Sequence, residues 1–499
     1  MADSVRTRVL AALVALALPA SFYVYGDVVD AFPGPLTLRA EAAGPVEGVP
    51  ADGEAYALLS PSADASASPA VTPVSAADLN AALAPVAALP VVEGHLAYAI
   101  VDADSGEVIA ESDASEARTP ASTMKLLTAL SAIRAFDADQ TFTTSATLEG
   151  SHVSLVGGGD MLLARGYGET REGVSRASLA ELADLTATAA QQAGLSEVTL
   201  GVDDTYFAHD PLNPAWGSNG PAGGWVAPIM ALGVDGGRLD GSAYGRKSED
   251  PAMDAGRIFA ELLAQRGVSV NGEVARQPSG PAAQNVGSVS SAPLSDWIEH
   301  TLLYSDNTVA ELLARHVAKQ KGQPSTVQGA RDAVSADLTS LAAAEGFAVD
   351  GLVIADNSGL SVDNRVAPQF LAHLCAWAAG GAPPEVRAVF AMVPVGALTG
   401  TLTERFEEDG AEAGRGIVRG KTGYLGGVAS LAGTAVLADG RTVGYSILVH
   451  GFEGSEASAA RAAVDQAATA MVTAGAAAEA APAEDAQETS APGLTPTGP

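Results

Sequence analysis

The chain has 499 residues, of which 47% are hydrophobic and 5% aromatic, and its formal net charge is -32. This length is typical of two or three domains, and the hydrophobic share is sufficient for packed cores. The large negative charge argues against nucleic acid or an anionic membrane surface as a partner, because both would be repelled. An acidic, well-solvated protein that works outside the cytoplasm fits the composition better.

Residues 1–36 are predicted to be a signal peptide or a membrane anchor. Arg6 and Arg8 precede an almost uncharged apolar run over residues 9–26. Basic residues before an apolar run of about 18 residues are typical of an export signal or of a single membrane anchor. The sequence therefore predicts a protein that is secreted or anchored to the outer face of the cytoplasmic membrane.

Two segments are too poor in periodic apolar residues to form packed structure. Residues 37–77 are rich in Ala, Pro, Gly, Ser and Glu, and residues 475–499 have a similar composition. We predict a disordered linker and a disordered tail. The single cysteine, Cys375, lies in an apolar run and has no cysteine to pair with, so we predict a small core residue.

The first folded elements follow the linker. Residues 95–102 and 107–111 alternate as strands around an Asp-Ser-Gly turn, which indicates a hairpin. A helical pattern over residues 122–136 comes next, with apolar positions at three- and four-residue steps that predict one buried stripe. Residues 146–288 change character to short strands and many glycines, with an amphipathic helix over residues 251–267, and are predicted to be an inserted domain.

A nucleophile and a candidate base lie at the start of the first of these helices. Ser122 precedes Lys125 by three residues, so both side chains project from one turn. A serine hydroxyl needs a base, and a lysine amine can serve when its pKa is lowered, whereas arginine cannot. The chain has only five lysines. The alternative is that Ser122 only caps the helix and Lys125 is a solvated side chain.

A second polar pair lies in a turn between two predicted helices. Ser305 and Asn307 can face a common cleft, where the hydroxyl would relay a proton and the amide would hold a substrate carbonyl. The alternative is that this turn only caps the following helix. Ser269 and Asn271 have the same spacing but lie in a strand-like stretch, and we discount them.

A third motif, Lys421-Thr422-Gly423, follows a strand-like stretch. An ammonium and a hydroxyl on a sheet edge can clamp a carboxylate, and the glycine lets a substrate backbone lie alongside. A plain surface lysine is the alternative. The order Ser-x-x-Lys, Ser-x-Asn and Lys-Thr-Gly is, however, the set found in penicillin-recognising serine enzymes, and its joint occurrence by chance is improbable.

On these motifs the chain resembles the D-alanyl-D-alanine carboxypeptidases/endopeptidases of the penicillin-binding protein 4 (DacB-like, class C low-molecular-mass) family. The separation of 183 positions from Ser122 to Ser305 favours this branch over ordinary beta-lactamases. The resemblance covers about residues 80–470. Further segments match the family pattern: residues 156–160, 202–207 with Trp216, 227–231, 356–361 and 400–405.

The resemblance implies an α+β multidomain fold. Its main part is a penicillin-binding transpeptidase-like (serine beta-lactamase-like) domain, with a central antiparallel sheet flanked by helices. We predict that this domain consists of residues 78–145 and 289–474, interrupted by the large inserted accessory domain of residues 146–288.

The resemblance also implies the catalytic roles. Ser122 attacks the carbonyl carbon of the penultimate D-alanine, and Lys125 accepts its proton. Ser305 relays a proton to the leaving amine, and Asn307 holds the peptide amide and Lys125. An acyl-enzyme forms and is released by water. Neither a cofactor nor a metal is expected.

The implied substrate-binding residues are Lys421, Thr422, Gly423 and Tyr424. Lys421 and Thr422 bind the terminal carboxylate, while the N–H groups of Tyr424 and Ser122 form the oxyanion hole. A threonine is common in the family at the position of Tyr424, which is expected to affect substrate preference. Asn357 stands where the family usually has glycine, and we expect it to take a left-handed conformation.

The expected partners are peptidoglycan D-Ala-D-Ala peptides, beta-lactam inhibitors and, if the N-terminal segment is retained, a membrane. The expected function is a serine-type D-Ala-D-Ala carboxypeptidase, with endopeptidase activity left open. Two alternatives remain at this point: a beta-lactamase or esterase on the same scaffold, and a low-turnover cell-wall-binding protein.

Overall fold

The computed structural model describes residues 72–168, 174, 177–239 and 245–475. They belong to a compact unit that begins at Thr72. The predicted signal peptide or anchor lies outside the described residues, as do the linker up to residue 71 and the tail from residue 476. The prediction of disorder was wrong for residues 72–77, because Val74 is buried and Ser75 caps a helix that begins at Ala76. Within the described part of the chain, no helix has the length and apolar character needed to span a membrane.

The helices are α1 (Ala76–Ala87), α2 (Met124–Ala135), α3 (Leu179–Gln192), α4 (Pro251–Gln265), α5 (Leu294–Tyr304), α6 (Asn307–Gln320), α7 (Val327–Glu345), α8 (Pro368–Ala379), α9 (Pro384–Ala391) and α10 (Ala457–Thr473). The strands are β1 (Leu96–Asp102), β2 (Val108–Ser112), β3 (Thr143–Glu149), β4 (His152–Val156), β5 (Asp160–Leu163), β6 (Glu197–Asp203), β7 (Leu232–Val234), β8 (Ser269–Val270), β9 (Ala275–Arg276), β10 (Gln284–Ser290), β11 (Arg419–Leu425), β12 (Val428–Val436) and β13 (Thr442–His450).

A five-stranded sheet in the order β11-β12-β13-β1-β2 is antiparallel throughout. The predicted hairpin of β1 and β2 and the predicted central antiparallel sheet are therefore confirmed. Its strands come from both ends of the described chain, because β1 pairs directly with the last strand, β13. Strand β11 lies at the edge of this sheet, where one side of its backbone can face a ligand.

Helices cover both faces of the five-stranded sheet. Helices α1 and α10 pack on one face with apolar residues of β1, β12 and β13, and α8 packs on the other. The contact with α8 is close: a Cβ on Gly444 of β13 would lie 2.1 Å from the backbone nitrogen of Ala376. This position therefore accepts only glycine. The close packing of α8 holds the five-stranded sheet, including its edge strand β11, in a fixed position.

A second, six-stranded sheet is built from β10, β3, β4, β6 and β8 in that order, with β9 also paired to β6. It combines antiparallel and parallel pairs. Helices α3 and α4 pack against each other and against strands of this sheet. All these elements lie within residues 143–290, so this sheet corresponds in sequence to the proposed inserted domain.

Helix α2 is the centre of the helical layer. Every residue from Met124 to Ile133 is buried, and the helix contacts α5, α6, α7 and α9. The prediction of a single buried stripe was wrong, because helices surround α2 on all sides. The consequence for the site is that Lys125, at the second position of α2, enters a fully enclosed environment.

Candidate active site

Ser122 lies in a short 3-10 turn, Ala121–Thr123, that leads into α2. The N-cap of α2 is Thr123 and not Ser122, and Ser122 Oγ contacts Lys125 Nζ instead, so the capping alternative does not hold. Ala121 has a φ of 51°, a conformation that is uncommon for residues other than glycine and that is often found at functional sites. The turn is held from two sides, because Thr123 Oγ1 and Ser430 Oγ each donate to the carbonyl oxygen of Pro120 over 2.8 Å.

Lys125 is completely buried, and its ammonium group contacts three oxygens. Nζ lies 3.1 Å from Ser122 Oγ, 2.6 Å from Asn307 Oδ1 and 2.5 Å from the carbonyl oxygen of Ser358. Burial lowers the pKa of Lys125 to about 8, although nearby carboxylates oppose this shift. The structure thus brings two of the predicted site residues, Ser122 and Asn307, to one amine that can lose its proton near neutral pH.

Ser305 and Asn307 lie where α5 ends and α6 begins. Ser305 ends α5 in the left-handed region, with a φ of 59°. Asp306 caps α6, because its carboxylate accepts from the N–H of Val309 over 3.1 Å. The capping interpretation of this turn is therefore confirmed, while the cleft interpretation of Ser305 and Asn307 stays a prediction. The amide of Asn307 has opposite ends in use, since Nδ2 donates to the carbonyl oxygen of Trp225 over 2.8 Å while Oδ1 accepts from Lys125.

Asp306, between these two predicted residues, is held by buried basic side chains that the sequence did not reveal. Its Oδ2 lies 2.7 Å from Arg238 Nη2 and 3.2 Å from His300 Nε2. Burial opposes ionisation, but the bond from His300 and the charge of Arg238 together hold the pKa of Asp306 well below its ordinary value. Arg238 comes from the predicted inserted region, so that region helps to fix the Ser-x-Asn turn.

Lys421 lies on the edge strand β11 and is also completely buried. Its Nζ donates to the carbonyl oxygen of Thr422 over 2.9 Å. Burial, and then the charge of Lys125, lower its pKa well below the ordinary value. An opposite charge favours the ammonium form, so an incoming carboxylate would raise the pKa of Lys421 again. Thr422 Oγ1 lies 2.7 Å from Thr401 Oγ1, which adds a second hydroxyl beside the clamp.

Gly423 is required by close packing. A Cβ there would lie 2.1 Å from Ser430 Oγ and 2.8 Å from the carbonyl oxygen of Pro120. The Pro120 carbonyl also belongs to the backbone that leads to Ser122. Strand β11 therefore runs directly beside the Ser122 turn, and this contact brings the third motif to the nucleophile.

The N–H of Tyr424 faces the open edge of the sheet. Consecutive backbone N–H groups of a strand point to opposite sides, and the N–H of Gly420 bonds to Pro394, away from β12. The N–H groups of Thr422 and Tyr424 therefore share that open side, as an oxyanion donor would need. The Tyr424 side chain is 45% exposed, and the guanidinium carbon of Arg461 lies 4.9 Å from its ring centre.

The residue 356–361 loop supplies the third oxygen partner of Lys125. The carbonyl oxygen of Asn357 accepts from Thr128 Oγ1 over 2.6 Å, next to the Ser358 carbonyl that accepts from Lys125. The expectation of a left-handed Asn357 was wrong: in this loop the positive φ, 87°, belongs to Gly359. A Cβ on Gly359 would lie 2.0 Å from the carbonyl oxygen of Ala121, which shows how tightly the loop packs on the Ser122 turn.

A cavity of about 250 Å³ opens beside this constellation. Its wall includes Trp225, Lys247, Tyr304, Asn307 and Thr401. The cavity therefore lies between the Ser-x-Asn turn and the loop that contacts Thr422. Its wall thus includes Asn307 of the second motif and Thr401, the neighbour of Thr422 of the third motif.

Comparisons with known proteins identify the family and the fold of this chain. The model of the D-Ala-D-Ala carboxypeptidase 3 (S13) family matches residues 79–247 and 238–471. Carboxypeptidase DacB of Mycolicibacterium smegmatis is 33% identical over 358 residues, which cover 70% of this chain and 75% of that protein. Carboxypeptidase Rv3627c of Mycobacterium tuberculosis is 33% identical over 376 residues, covering 72% and 78% respectively.

The fold also matches a solved structure. Penicillin-binding protein 4 (DacB) of Haemophilus influenzae superposes with a TM-score of 0.63 at 21% identity, and the match covers 80% of this chain and 98% of that one. This similarity establishes the penicillin-binding fold. Together with the sequence matches it confirms the resemblance inferred from the three motifs: the chain belongs to the D-Ala-D-Ala carboxypeptidase 3 (S13) family.

Proposed function

We propose that this protein is a serine-type D-Ala-D-Ala carboxypeptidase that acts on peptidoglycan stem peptides through an acyl-enzyme on Ser122. The observation that carries the proposal is the buried amine of Lys125, which lies within hydrogen-bond reach of both Ser122 Oγ and Asn307 Oδ1. A nucleophile beside a base that is itself oriented by a third group is the arrangement that covalent catalysis needs.

The contacts of Lys125 determine how it acts as a base. The oxygens of Asn307 and Ser358 can only accept hydrogen bonds, so a neutral amine donates its two hydrogens to them. Its lone pair then faces the Ser122 hydroxyl. When Ser122 Oγ attacks the carbonyl carbon of the penultimate D-alanine, the proton passes to Nζ, and the resulting ammonium donates to all three oxygens.

The other site residues act on the substrate in this proposal. The oxyanion accepts from the N–H groups of Ser122 and Tyr424. Ser305 relays a proton to the amine of the departing D-alanine, which leaves as the peptide bond breaks. Water then attacks the ester carbon and restores the Ser122 hydroxyl, while Asn307 holds the peptide amide of the substrate.

The terminal carboxylate of the substrate is expected at the edge of β11. Lys421 supplies the charge, and Thr422 supplies a hydroxyl that already contacts Thr401. A beta-lactam carries a carboxylate and a reactive carbonyl, so the same groups would bind it and Ser122 would be acylated. The cavity beside Asn307 offers space for the remainder of either ligand.

The substrate implies work outside the cytoplasm, on the cell wall. We propose that residues 1–36 direct export, as a cleaved signal or as an anchor in the membrane, and that residues 37–71 link them to the enzyme. We further propose that residues 146–288 form an inserted domain within a peptidase domain of residues 78–145 and 289–474. Beyond its own packing, that insertion contributes Arg238 to the active-site turn.

Acylation by benzylpenicillin tests the function. The wild-type protein and a Ser122→Ala variant are mixed with the drug, analysed by intact mass and then mapped by peptide digestion. We expect a persistent adduct on the wild-type peptide that contains Ser122, none on the variant, and D-alanine release from a D-Ala-D-Ala peptide by the wild type alone. Rapid drug consumption without an adduct would instead indicate a beta-lactamase, and neither adduct nor consumption would indicate a binding protein.

The pH dependence of acylation follows from Lys125. Its amine must be neutral to accept the proton, and its pKa is about 8. The neutral fraction therefore grows as pH rises, so the second-order rate constant for benzylpenicillin should fall by up to about tenfold for each pH unit below that value. Stopped-flow or quenched mass measurements from pH 5 to pH 10 would show this acid limb. A rate that is constant between pH 6 and pH 8 would contradict the role of Lys125.

A further inference from the structure

Two buried carboxylates lie behind Lys125, and the proposed reaction assigns no role to either. Glu311, on α6, is 4% exposed, and Asp356, in the loop, is fully buried. Glu311 accepts from the backbone N–H of Asn357 over 3.0 Å and from its Nδ2 over 3.4 Å. Glu311 therefore holds Asn357, and Asp356 directly precedes that residue. Both acids thus belong to the surroundings of the loop whose Ser358 carbonyl contacts Lys125.

We propose that Asp356 and Glu311 share one proton and act as a single negative charge behind Lys125, with Asp356 as the positioning residue that stabilises the Lys125 ammonium. This inference rests on the proposed function. It explains how an amine enclosed in the protein can accept a proton from Ser122 without leaving an uncompensated buried charge. No group beyond those already in the site is required, because the proton moves only from Ser122 Oγ to Lys125 Nζ.

The hydrogen bonds indicate which acid keeps the charge. Asp356 accepts from the N–H of Gly359 over 2.7 Å, from the N–H of Ser361 over 2.6 Å and from Asn364 Nδ2 over 2.8 Å. Three short bonds from donors favour an ionised carboxylate. The bonds to Glu311 are longer, so Glu311 is the member that carries the proton.

Electrostatics agrees that the two acids are not both ionised. Burial, and then the nearby charge of Asp356, raise the pKa of Glu311 well above its ordinary value. Burial also raises the pKa of Asp356, against the donors of its loop and the charge of Lys125. Two carboxylates that interact in an enclosed site cannot both ionise freely. Other charged groups act on Lys125 or on the acid pair: Asp306, Arg315 and Lys421.

The decline of the acylation rate in acid solution, here called the acid limb, distinguishes an electrostatic role of Asp356 from a purely structural one. In Asp356→Asn the charge is lost, so Lys125 becomes a weaker base. We expect the limb to move to lower pH by about one unit and the rate above pH 9 to fall by about tenfold. In Glu311→Gln the amide resembles a protonated acid, so we expect the limb to stay within about 0.3 unit of its wild-type position. A purely structural loss would lower the rate at all pH values without moving the limb.

Two results would overturn the inference. One is a folded Asp356→Asn protein whose limb is unmoved, and the other is a Glu311→Gln limb that moves as far as that of Asp356→Asn. If Asp356→Asn does not fold, infrared difference spectra of the wild type and Glu311→Gln decide instead. We expect a C=O band from a protonated buried carboxyl in the wild type at pH 6, absent from Glu311→Gln, and its absence from the wild type would also overturn the inference.

A different result would be expected if the proposed function itself were wrong. In that case the wild-type protein itself would form no adduct at any pH, whatever the infrared spectra show. A wild type that acylates with an acid limb, combined with an unmoved limb in a folded Asp356→Asn, would leave the proposed function in place and remove only the role of the acid pair.

Discussion

Replacement of Lys125 by arginine is expected to lower the rate of acylation by benzylpenicillin by at least about a thousandfold, because proton transfer by a positioned base contributes a factor of this order. Arginine keeps the positive charge but cannot lose its proton in a protein. Lys125 Nζ lies 3.1 Å from Ser122 Oγ, close enough to take the proton directly. Intact mass spectrometry on quenched samples would measure the rate at pH 8.

A Lys125→Met variant is the matched control, because methionine has a similar length but neither charge nor base. If Lys125 acts as the base, both variants lose acylation to a similar extent. If it only stabilised negative charge on the reacting group, the arginine variant would retain most of the rate and the methionine variant would not. Thermal unfolding of both proteins checks that the loss is chemical, since Lys125 is fully enclosed.

The part of the site that the sequence predicted is the part that local geometry determines. Ser122 and Lys125 share one turn because they are three residues apart, and Ser305 and Asn307 share one interhelical turn. Relations of this kind hold in any helix or turn, whatever it packs against. The hairpin of β1 and β2 was predictable for a similar reason, because strand alternation and a turn mark it, whereas the central antiparallel sheet was implied by the family resemblance.

The residues that the sequence did not reveal owe their roles to packing between distant segments. Glu311 reaches Asn357, 46 positions along the chain, and Arg238 reaches Asp306 across 68 positions. No spacing rule joins such pairs, and a glutamate on a helix is ordinarily a solvated residue. The error at Asn357 has the same origin, because only the approach of the loop to the Ser122 turn shows that Gly359 takes the left-handed position.

The ion pair of Arg238 and Asp306 leads to the second large expected effect. Asparagine at position 306 can still cap α6, but it removes the charge that faces Arg238. The two side chains are 8% and 7% exposed, and breaking a buried pair by removing one partner typically costs 3–5 kcal/mol. We therefore expect Asp306→Asn to lower the free energy of unfolding by about 3 kcal/mol, as measured by denaturant titration at pH 7.

Asp235→Asn is the control, because Asp235 contacts the same arginine over 3.3 Å but is 24% exposed. Water screens this contact, so the expected loss is below about 1 kcal/mol. Equal losses in the two variants would contradict the view that burial makes the Asp306 contact the stronger one.

The pH dependence gives the Asp306 prediction a second test. The pKa of Asp306 is lowered in the folded protein, so its contribution to stability is complete above the unfolded value of about 3.9 and is lost as pH falls below it. The difference in unfolding free energy between wild type and Asp306→Asn should therefore be constant above about pH 5 and shrink in more acid solution. A difference that does not change with pH would assign the loss to packing instead of charge.

The acylation rate should also depend on the ion pair of Arg238 and Asp306, because Asp306 directly precedes Asn307. Asn307 Oδ1 holds Lys125 Nζ at 2.6 Å, and a displacement of catalytic groups by about 1 Å can cost a hundredfold in rate. We expect Asp306→Asn to lower the acylation rate by at least about tenfold in the protein that remains folded. Wild-type acylation in the folded variant would show that the turn keeps its shape without Arg238, and that the predicted inserted region does not act on the active site through this ion pair.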